Sequence, residues 1–199
     1  AMFATTATIY EQQLSITLHA VRFLVRESVG PYTTTTTEPV AFLTLFESVA
    51  AADPIRSLVD IHHIVTNRRM LGGAVLGIAY LSQVCSNQGS SSASGVTAFT
   101  STAFAPIVMA HELGHNFSAS HPDQEPGFSG DAGIMGSSLG DPLPSTFAAL
   151  SAGQIAGYVA GVGCLDDISP TVTPTPPATP TNTPTPSPTL TPTSTPTPT

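Results

Sequence analysis

The chain has 199 residues, 13 acidic side chains against five arginines and no lysine, and a formal net charge of −8. This charge disfavours nucleic acid or an anionic membrane as a partner, because both carry negative charge themselves. No apolar run reaches membrane-spanning length, so no membrane span is predicted.

A change in composition divides the chain in two. From about residue 168 onward the sequence is almost entirely Pro, Thr and Ser, without an ionisable side chain. Proline fixes φ and removes a backbone donor, so we predict a disordered linker or stalk over 168–199 and a folded domain over 1–167. Plain disorder and an O-glycosylated stalk both fit this composition. A linker that runs to the last residue predicts a further domain or an anchor beyond it.

The first hundred residues mix helical and strand patterns, as in a mixed α/β domain. Ala4–Gln12 fits a helix, and Leu14–Val25 alternates in two registers as a bulged strand would. The further candidates are a helix over 38–51 and strands over 60–66, 74–81 and 95–100. His62 and His63 are adjacent on a strand, so they face opposite sides of the sheet, and we predict structural roles for both.

The next helix carries the sequence His111-Glu112-Leu113-Gly114-His115. Residues four apart on a helix point nearly the same way, so His111 and His115 can ligate one metal ion while Glu112 serves as a general base. His121 can join them only if the helix ends soon after His115 and the chain turns back. Thr100-Ser101-Thr102 offers the caps at the start of this helix. The alternative is an amphipathic helix with surface histidines.

The remaining signals lie after the histidines. Met135 belongs to a small apolar island in loop sequence, and a C-terminal helix is predicted over 147–162 with Ser145 as its cap. Cys164 follows that helix, far from Cys85. The two cysteines fit either buried thiols of an intracellular protein or one disulfide that closes a long loop in a secreted protein.

These features together resemble a metzincin zinc endopeptidase, and most of all the adamalysin (reprolysin) branch with its bacterial members. His111, His115 and His121 fall on the family's zinc-ligand positions, Glu112 on its general base, and Met135 on its Met-turn. The resemblance covers roughly residues 8–165.

Two positions bear on the branch. Astacins and serralysins place Tyr two residues after the Met, whereas this chain has Ser137 there. Adamalysins usually place Asp directly after the third His, whereas Pro122 stands there and Asp123 follows. Pro at this place is more typical of serralysins, so the two positions point to different branches.

The resemblance implies an α+β type of α/β fold, with a mixed twisted sheet, an active-site helix and a C-terminal helix. The family's first strand and most of its first helix are absent, which predicts an N-terminally truncated catalytic domain. The resemblance also implies zinc-dependent hydrolysis of peptide bonds in extracellular proteins, with a zinc-bound water activated by Glu112. The protein would then be secreted or at the cell surface.

Further residues take their roles from the same resemblance. A polypeptide substrate would lie along the edge strand Gly77-Ile78-Ala79-Tyr80 and extend the sheet. Cys85 and Cys164 match the family's disulfide. A structural calcium ion near it would take oxygens from Asp60 and from Asp166 or Asp167.

Ser118 departs from the family, which usually has Gly where the chain leaves the helix in a left-handed conformation. A non-Gly residue at positive φ costs about 1 kcal/mol, against about 10 kcal/mol or more for binding zinc. We therefore expect a slightly loosened metal site. The alternative function is a non-catalytic metzincin-like adhesion or binding module on the Pro/Thr stalk, which the intact Glu112 disfavours.

Overall fold

The fold is known from a computed structural model, which describes residues 1–25, 37–86, 94–140 and 142–165. Within these residues it contains four α-helices and three strands. They are α1 (Met2–Leu14), α2 (Pro39–Ala51), β1 (His62–Thr66), β2 (Gly77–Ala79), β3 (Ser94–Ala98), α3 (Phe104–Asn116) and α4 (Ala149–Val159). The predicted linker over 168–199 lies outside the described residues and stays a prediction.

The three strands form one mixed sheet in the order β1-β3-β2. β1 runs parallel to β3, with Ile64 opposite Val96, and β2 runs antiparallel to β3, with Ile78 opposite Val96. In the described part of the chain β2 therefore pairs on one side only and is an edge strand. The three predicted strand segments are confirmed at shorter lengths, and so is the mixed α/β fold.

Helices cover the two faces of the sheet. On one face α2 buries Phe42, Leu43 and Phe46 against Val96 and Ala98 of β3. On the other face α3 packs against β3 and β2, and α1 and α4 support α3 from behind. Side chains alternate between the faces of a strand, so successive residues of β3 serve the two cores in turn.

The predicted strand over Leu14–Val25 is wrong. α1 extends to Leu14, Ser15 ends it in a left-handed conformation with φ 55°, and residues 15–25 form no strand. Phe23 and Val25 are 71% and 85% exposed, so their alternation meets neither a partner strand nor a covering layer in the described residues. Apolar alternation favours a strand only where a neighbouring strand supplies pairing and burial.

The predicted start of the C-terminal helix is also wrong. α4 begins at Ala149 without a side-chain cap, so Ser145 does not cap it. Phe147 instead pairs with Gly133 in an isolated bridge, and its N–H donates to Oε1 of Gln13 at 2.8 Å. This pairing holds the preceding residues extended, so the helix begins only after it.

Candidate metal centre

The start of α3 follows the cap prediction with one adjustment. Oγ of Ser101 accepts a hydrogen bond from the backbone N–H of Phe104 at 3.2 Å, although the N-cap residue itself is Ala103. Pro106 lies in the first turn, where a missing N–H leaves no helical bond unmade. The helix then runs through the two motif histidines and ends at Asn116.

The turn that the histidine spacing requires is present directly after α3. Ser118 has φ 76°, which reverses the chain, and its N–H donates to the carbonyl of His115 at 2.8 Å. The N–H of Ala119 donates to the carbonyl of Gly114 at 2.9 Å. The expected left-handed residue at this position is therefore confirmed, and it is a serine. The reversed chain brings His121 back to the helix.

The three histidines converge on one point. The Nε2 atoms of His111 and His115 lie 3.0 Å apart, and each is 3.1 Å from Nε2 of His121. Nδ1 of His111 donates to the carbonyl of Ile134 and Nδ1 of His115 to that of Ala119, both at 2.7 Å. A carbonyl only accepts, so these two rings carry their proton on Nδ1 and present bare lone pairs at Nε2.

This arrangement fits a zinc ion. Two bare lone pairs 3.0 Å apart repel each other unless a cation or a shared donor lies between them. Three imidazole nitrogens are a usual protein ligand set for catalytic zinc and leave a fourth position open. Burial lowers the pKa of His111 to about 3, with His115 as the next cause, and burial also lowers the pKa of His115. Both shifts favour the neutral imidazole that binds metal.

Glu112 belongs to α3, and its side chain lies against the edge strand β2. Its side chain is buried, and its Oε2 is enclosed without a hydrogen-bond partner. A Cβ added to Gly77 would fall 2.2 Å from Oε1 of Glu112, so only glycine lets the carboxylate lie against this strand. Burial raises the pKa of Glu112, and a carboxylate with a raised pKa accepts protons more readily.

Met135 lies directly beneath the motif helix. Its side chain is completely buried, and a Cβ added to Gly114 would fall 2.4 Å from its Sδ. The glycine inside the motif therefore leaves the space that the Met135 side chain occupies against the helix. The neighbouring Ile134 supplies the carbonyl that holds His111. The structure thus brings the predicted Met-turn residue and the predicted ligands together.

Sequence reasoning missed several polar contacts around the histidines. Asp123 accepts hydrogen bonds from the backbone N–H of Ser137 at 2.9 Å and from its hydroxyl, and these bonds hold the pKa of Asp123 below its usual range. Nδ2 of Asn116 donates to the carbonyls of Tyr80 at 2.8 Å and Ser94 at 3.2 Å. Asp123 and Ser137 stood out in the sequence only as branch markers, and a bond between a carboxylate and a serine fourteen residues away has no local signature.

The two cysteines form a disulfide. Cys85 and Cys164 are bonded, with their Cα atoms 5.8 Å apart. A carboxylate oxygen of Asp60 lies within 4.8 Å of both sulfurs, so Asp60 is at the predicted place. Asp166 and Asp167 lie outside the described residues. The calcium site therefore stays a prediction.

Fold and centre together define a class: a mixed α/β domain in which two histidines of a helix and a third from the following turn can hold a metal. The chain matches the family described as metallo-peptidase family M12B, reprolysin-like, over residues 1–122. It belongs to this family of zinc-dependent metallopeptidases. The matched region contains Glu112 and all three histidines and ends before Met135. None of the curated proteins matches the chain. Among the described residues, no helix has the length and apolar character needed to cross a membrane.

Proposed function

We propose that this protein is a zinc-dependent endopeptidase that cleaves extracellular polypeptides. One observation supports this most: three Nε2 atoms converge within 3.1 Å of one another, and the helix that carries two of them also carries a buried carboxylate. His111, His115 and His121 would hold the zinc ion. Bound zinc supplies Lewis acidity, which makes a water more acidic and polarises a peptide carbonyl.

Glu112 is the general base of the proposed reaction. Its carboxylate takes a proton from the attacking water, and the oxygen of that water forms a bond to the peptide carbonyl carbon. Glu112 then gives the proton to the leaving amine as the C–N bond breaks. Its buried position keeps bulk water from competing for the carboxylate.

The proposed substrate strand is β2 with the following residue, Gly77 to Tyr80. In the described part of the chain, β2 pairs with β3 only, so an extended peptide can add to its other edge. Glu112 lies against Gly77 of this strand, so the base would lie beside a peptide bound there. Backbone pairing would give affinity, and side-chain pockets would give sequence preference.

We also propose that the protein acts outside the cell, secreted or at the cell surface. The Cys85–Cys164 disulfide supports this, because disulfides persist in oxidising compartments. Calcium near Asp60 remains a candidate second metal, to be tested by adding it to the assay.

A cleavage assay on casein tests the function, with the full chain loaded with zinc. We expect cleavage that a chelator abolishes and added zinc restores. E112A should keep one zinc per chain and lose about 10²–10⁴-fold in kcat/KM. E11A, which removes an exposed glutamate of α1, is the matched control and should cleave like the wild type.

The same assay separates the alternative, a non-catalytic adhesion or binding module. Such a module would bind zinc stoichiometrically and cleave neither casein nor a peptide library. Equal cleavage by E112A and wild type would also contradict the proposed role of the carboxylate.

A further inference from the structure

Two serines with left-handed backbones face each other at the end of the metal-site helix. Ser118 has φ 76° and Ser82, in the loop after β2, has φ 59°. The hydroxyl of Ser82 donates to Oγ of Ser118 at 2.8 Å. Left-handed φ is unfavourable for any residue with a Cβ, so two such residues in contact need an interaction that holds them there.

The backbone around these serines joins the same two segments. The carbonyl of His115 accepts from the N–H of Ser82 at 2.9 Å and from the N–H of Ser118 at 2.8 Å. The carbonyl of Asn116 accepts from the N–H groups of Gln83 at 3.0 Å and Val84 at 3.2 Å. The loop after β2 therefore satisfies the last carbonyls of α3, a task that a glycine-based cap often performs in other helices.

The geometry points to Ser82 as a positioning residue for the metal centre: its hydroxyl holds Ser118 in the left-handed conformation that brings His121 to the other two histidines. This inference rests on the proposed zinc function, since it concerns the ligand turn of that site. It adds a residue outside the motif. It also ties the turn to the loop that follows the proposed substrate strand.

The contact answers the question raised by serine at this position. Glycine would adopt φ 76° without strain and would need no side-chain partner. Serine carries the strain but offers a hydroxyl, and the net gain from one hydrogen bond offsets a strain of the same order. We therefore expect Ser82 to matter only while residue 118 is a strained residue with a hydroxyl.

Four variants of the full chain test this dependence: S82A, S118A, S118G and the double variant S82A/S118G. The zinc dissociation constant is measured by competition with a chromophoric chelator. S82A and S118A should each weaken zinc binding about fivefold, or about 1 kcal/mol, the usual net worth of a hydrogen bond. S118G should bind within about twofold of the wild type, and adding S82A to it should change nothing further.

Two further measurements separate positioning from general stability. The visible spectrum of the Co²⁺-loaded protein reports ligand geometry, and its bands should shift in S82A and return in S82A/S118G. Thermal unfolding of the metal-free chain identifies any variant that does not fold. S118G removes the backbone strain and should fold, so the zinc affinities of S118G and S82A/S118G can be compared even if S82A or S118A does not fold. S86A, a serine of the same loop that bonds only to Gln83 among the contacts described, is the matched control.

The outcomes distinguish this inference from the proposed function. If wild type binds zinc and cleaves casein while S82A and S118A bind zinc equally well, the inference is wrong and the function stands. If S82A weakens zinc binding equally in both backgrounds, the hydroxyl contact to Ser118 is not the cause, and the inference is again wrong. If wild type does not bind zinc, both the function and the inference fall.

Discussion

The two faces of the sheet differ in what they bury. On the α2 face the packed cluster consists of apolar side chains, from Phe42 and Leu43 to Met70 and Val96. His62, which shares its face of β1 with Ile64, adds one ring whose two nitrogens are enclosed. On the α3 face the apolar core surrounds polar groups, including Glu112, Asn116 and three partly buried histidines. One layer of the domain therefore serves stability, while the other combines stability with a metal centre.

The polar groups on the α3 face are held mainly by backbone atoms from loops. The carbonyls of Ile134 and Ala119 fix two histidine rings, and Asn116 donates to the carbonyl of Tyr80. Burying a polar group is costly unless it is hydrogen-bonded, so these loops must be correctly placed for the helix to pack at all. Substitutions at the histidines and the groups that hold them should alter metal binding, and substitutions on the α2 face should alter stability alone.

The largest effect is expected from removing a ligand on the α3 face. H115A leaves two histidines for the metal, and the zinc content of the purified protein should fall from one per chain to near zero. The affinity measured by chelator competition should fall by at least about 10³-fold, since three ligands share a binding free energy of about 10 kcal/mol or more. H19A, at an exposed histidine outside the triad, should retain full zinc. Unchanged affinity in H115A would contradict the assignment of the triad.

On the α2 face the largest effect is expected from truncating Phe42. Its side chain is 2% exposed, and the centre of its ring lies 5.4 Å from the guanidinium carbon of Arg68. F42A should lower the free energy of unfolding by about 3–5 kcal/mol, as a cavity in a packed core does. Denaturant titration at saturating zinc gives this difference, and the zinc affinity of the folded protein should stay within about twofold.

A neighbouring position on α2 supplies the control. Val40 is 65% exposed on the same helix, so V40A should change the free energy of unfolding by less than about 0.5 kcal/mol. A large loss of zinc affinity in F42A would show that the two faces are coupled through the sheet.

Most of the metal centre on the α3 face could be predicted from the sequence. Helical spacing places His111 and His115 together, and the position of His121 requires the turn that Ser118 makes. The strands over 60–66, 74–81 and 95–100 follow from short β-branched or apolar runs. These predictions depend on residues close in the chain, whose geometry a helix or a strand determines locally.

The misses depend on contacts between distant residues. Leu14–Val25 has the alternation of a strand, but nothing in those residues reveals whether a second strand lies beside them. Ser145 has the chemistry of a cap, but the bridge between Phe147 and Gly133 delays the helix. The bond between Ser82 and Ser118 joins residues 36 apart, and a pair of serines carries no pattern that would predict it.

The disulfide is expected to contribute next in size, because it links the loop after β2 to the chain that follows α4. Cys85 follows the loop that caps α3, Cys164 follows α4, and 79 positions separate them. Closing a loop of this length restricts the unfolded chain and should stabilise the domain by about 2–4 kcal/mol. C85S/C164S should lose this amount in a denaturant titration. Reductant should destabilise the wild type by the same amount and leave the variant unchanged. If reductant has the same effect on the wild type and the variant, the disulfide is absent in solution.

The smallest effect is an acid sensitivity at His63, on the α3 side of β1. Nε2 of this ring bonds to Oγ1 of Thr97 at 2.8 Å, its Nδ1 is enclosed, and burial lowers the pKa of His63 from 6.5 to about 4. Above pH 6.5 the ring is neutral in both states. As the pH falls from 6.5 towards 4, the unfolded chain takes up a proton that the folded chain refuses, so stability is lost. At pH 5 the loss should be about 2 kcal/mol.

The variant H63Q, which cannot titrate at this position, tests the prediction. The unfolding free energy of both proteins is measured against pH, and subtracting one curve from the other cancels the contribution of the other titrating groups. Parallel curves between pH 4 and 6.5 would show that His63 is not buried as a neutral ring, and His63 would then not count among the buried polar groups of the α3 face.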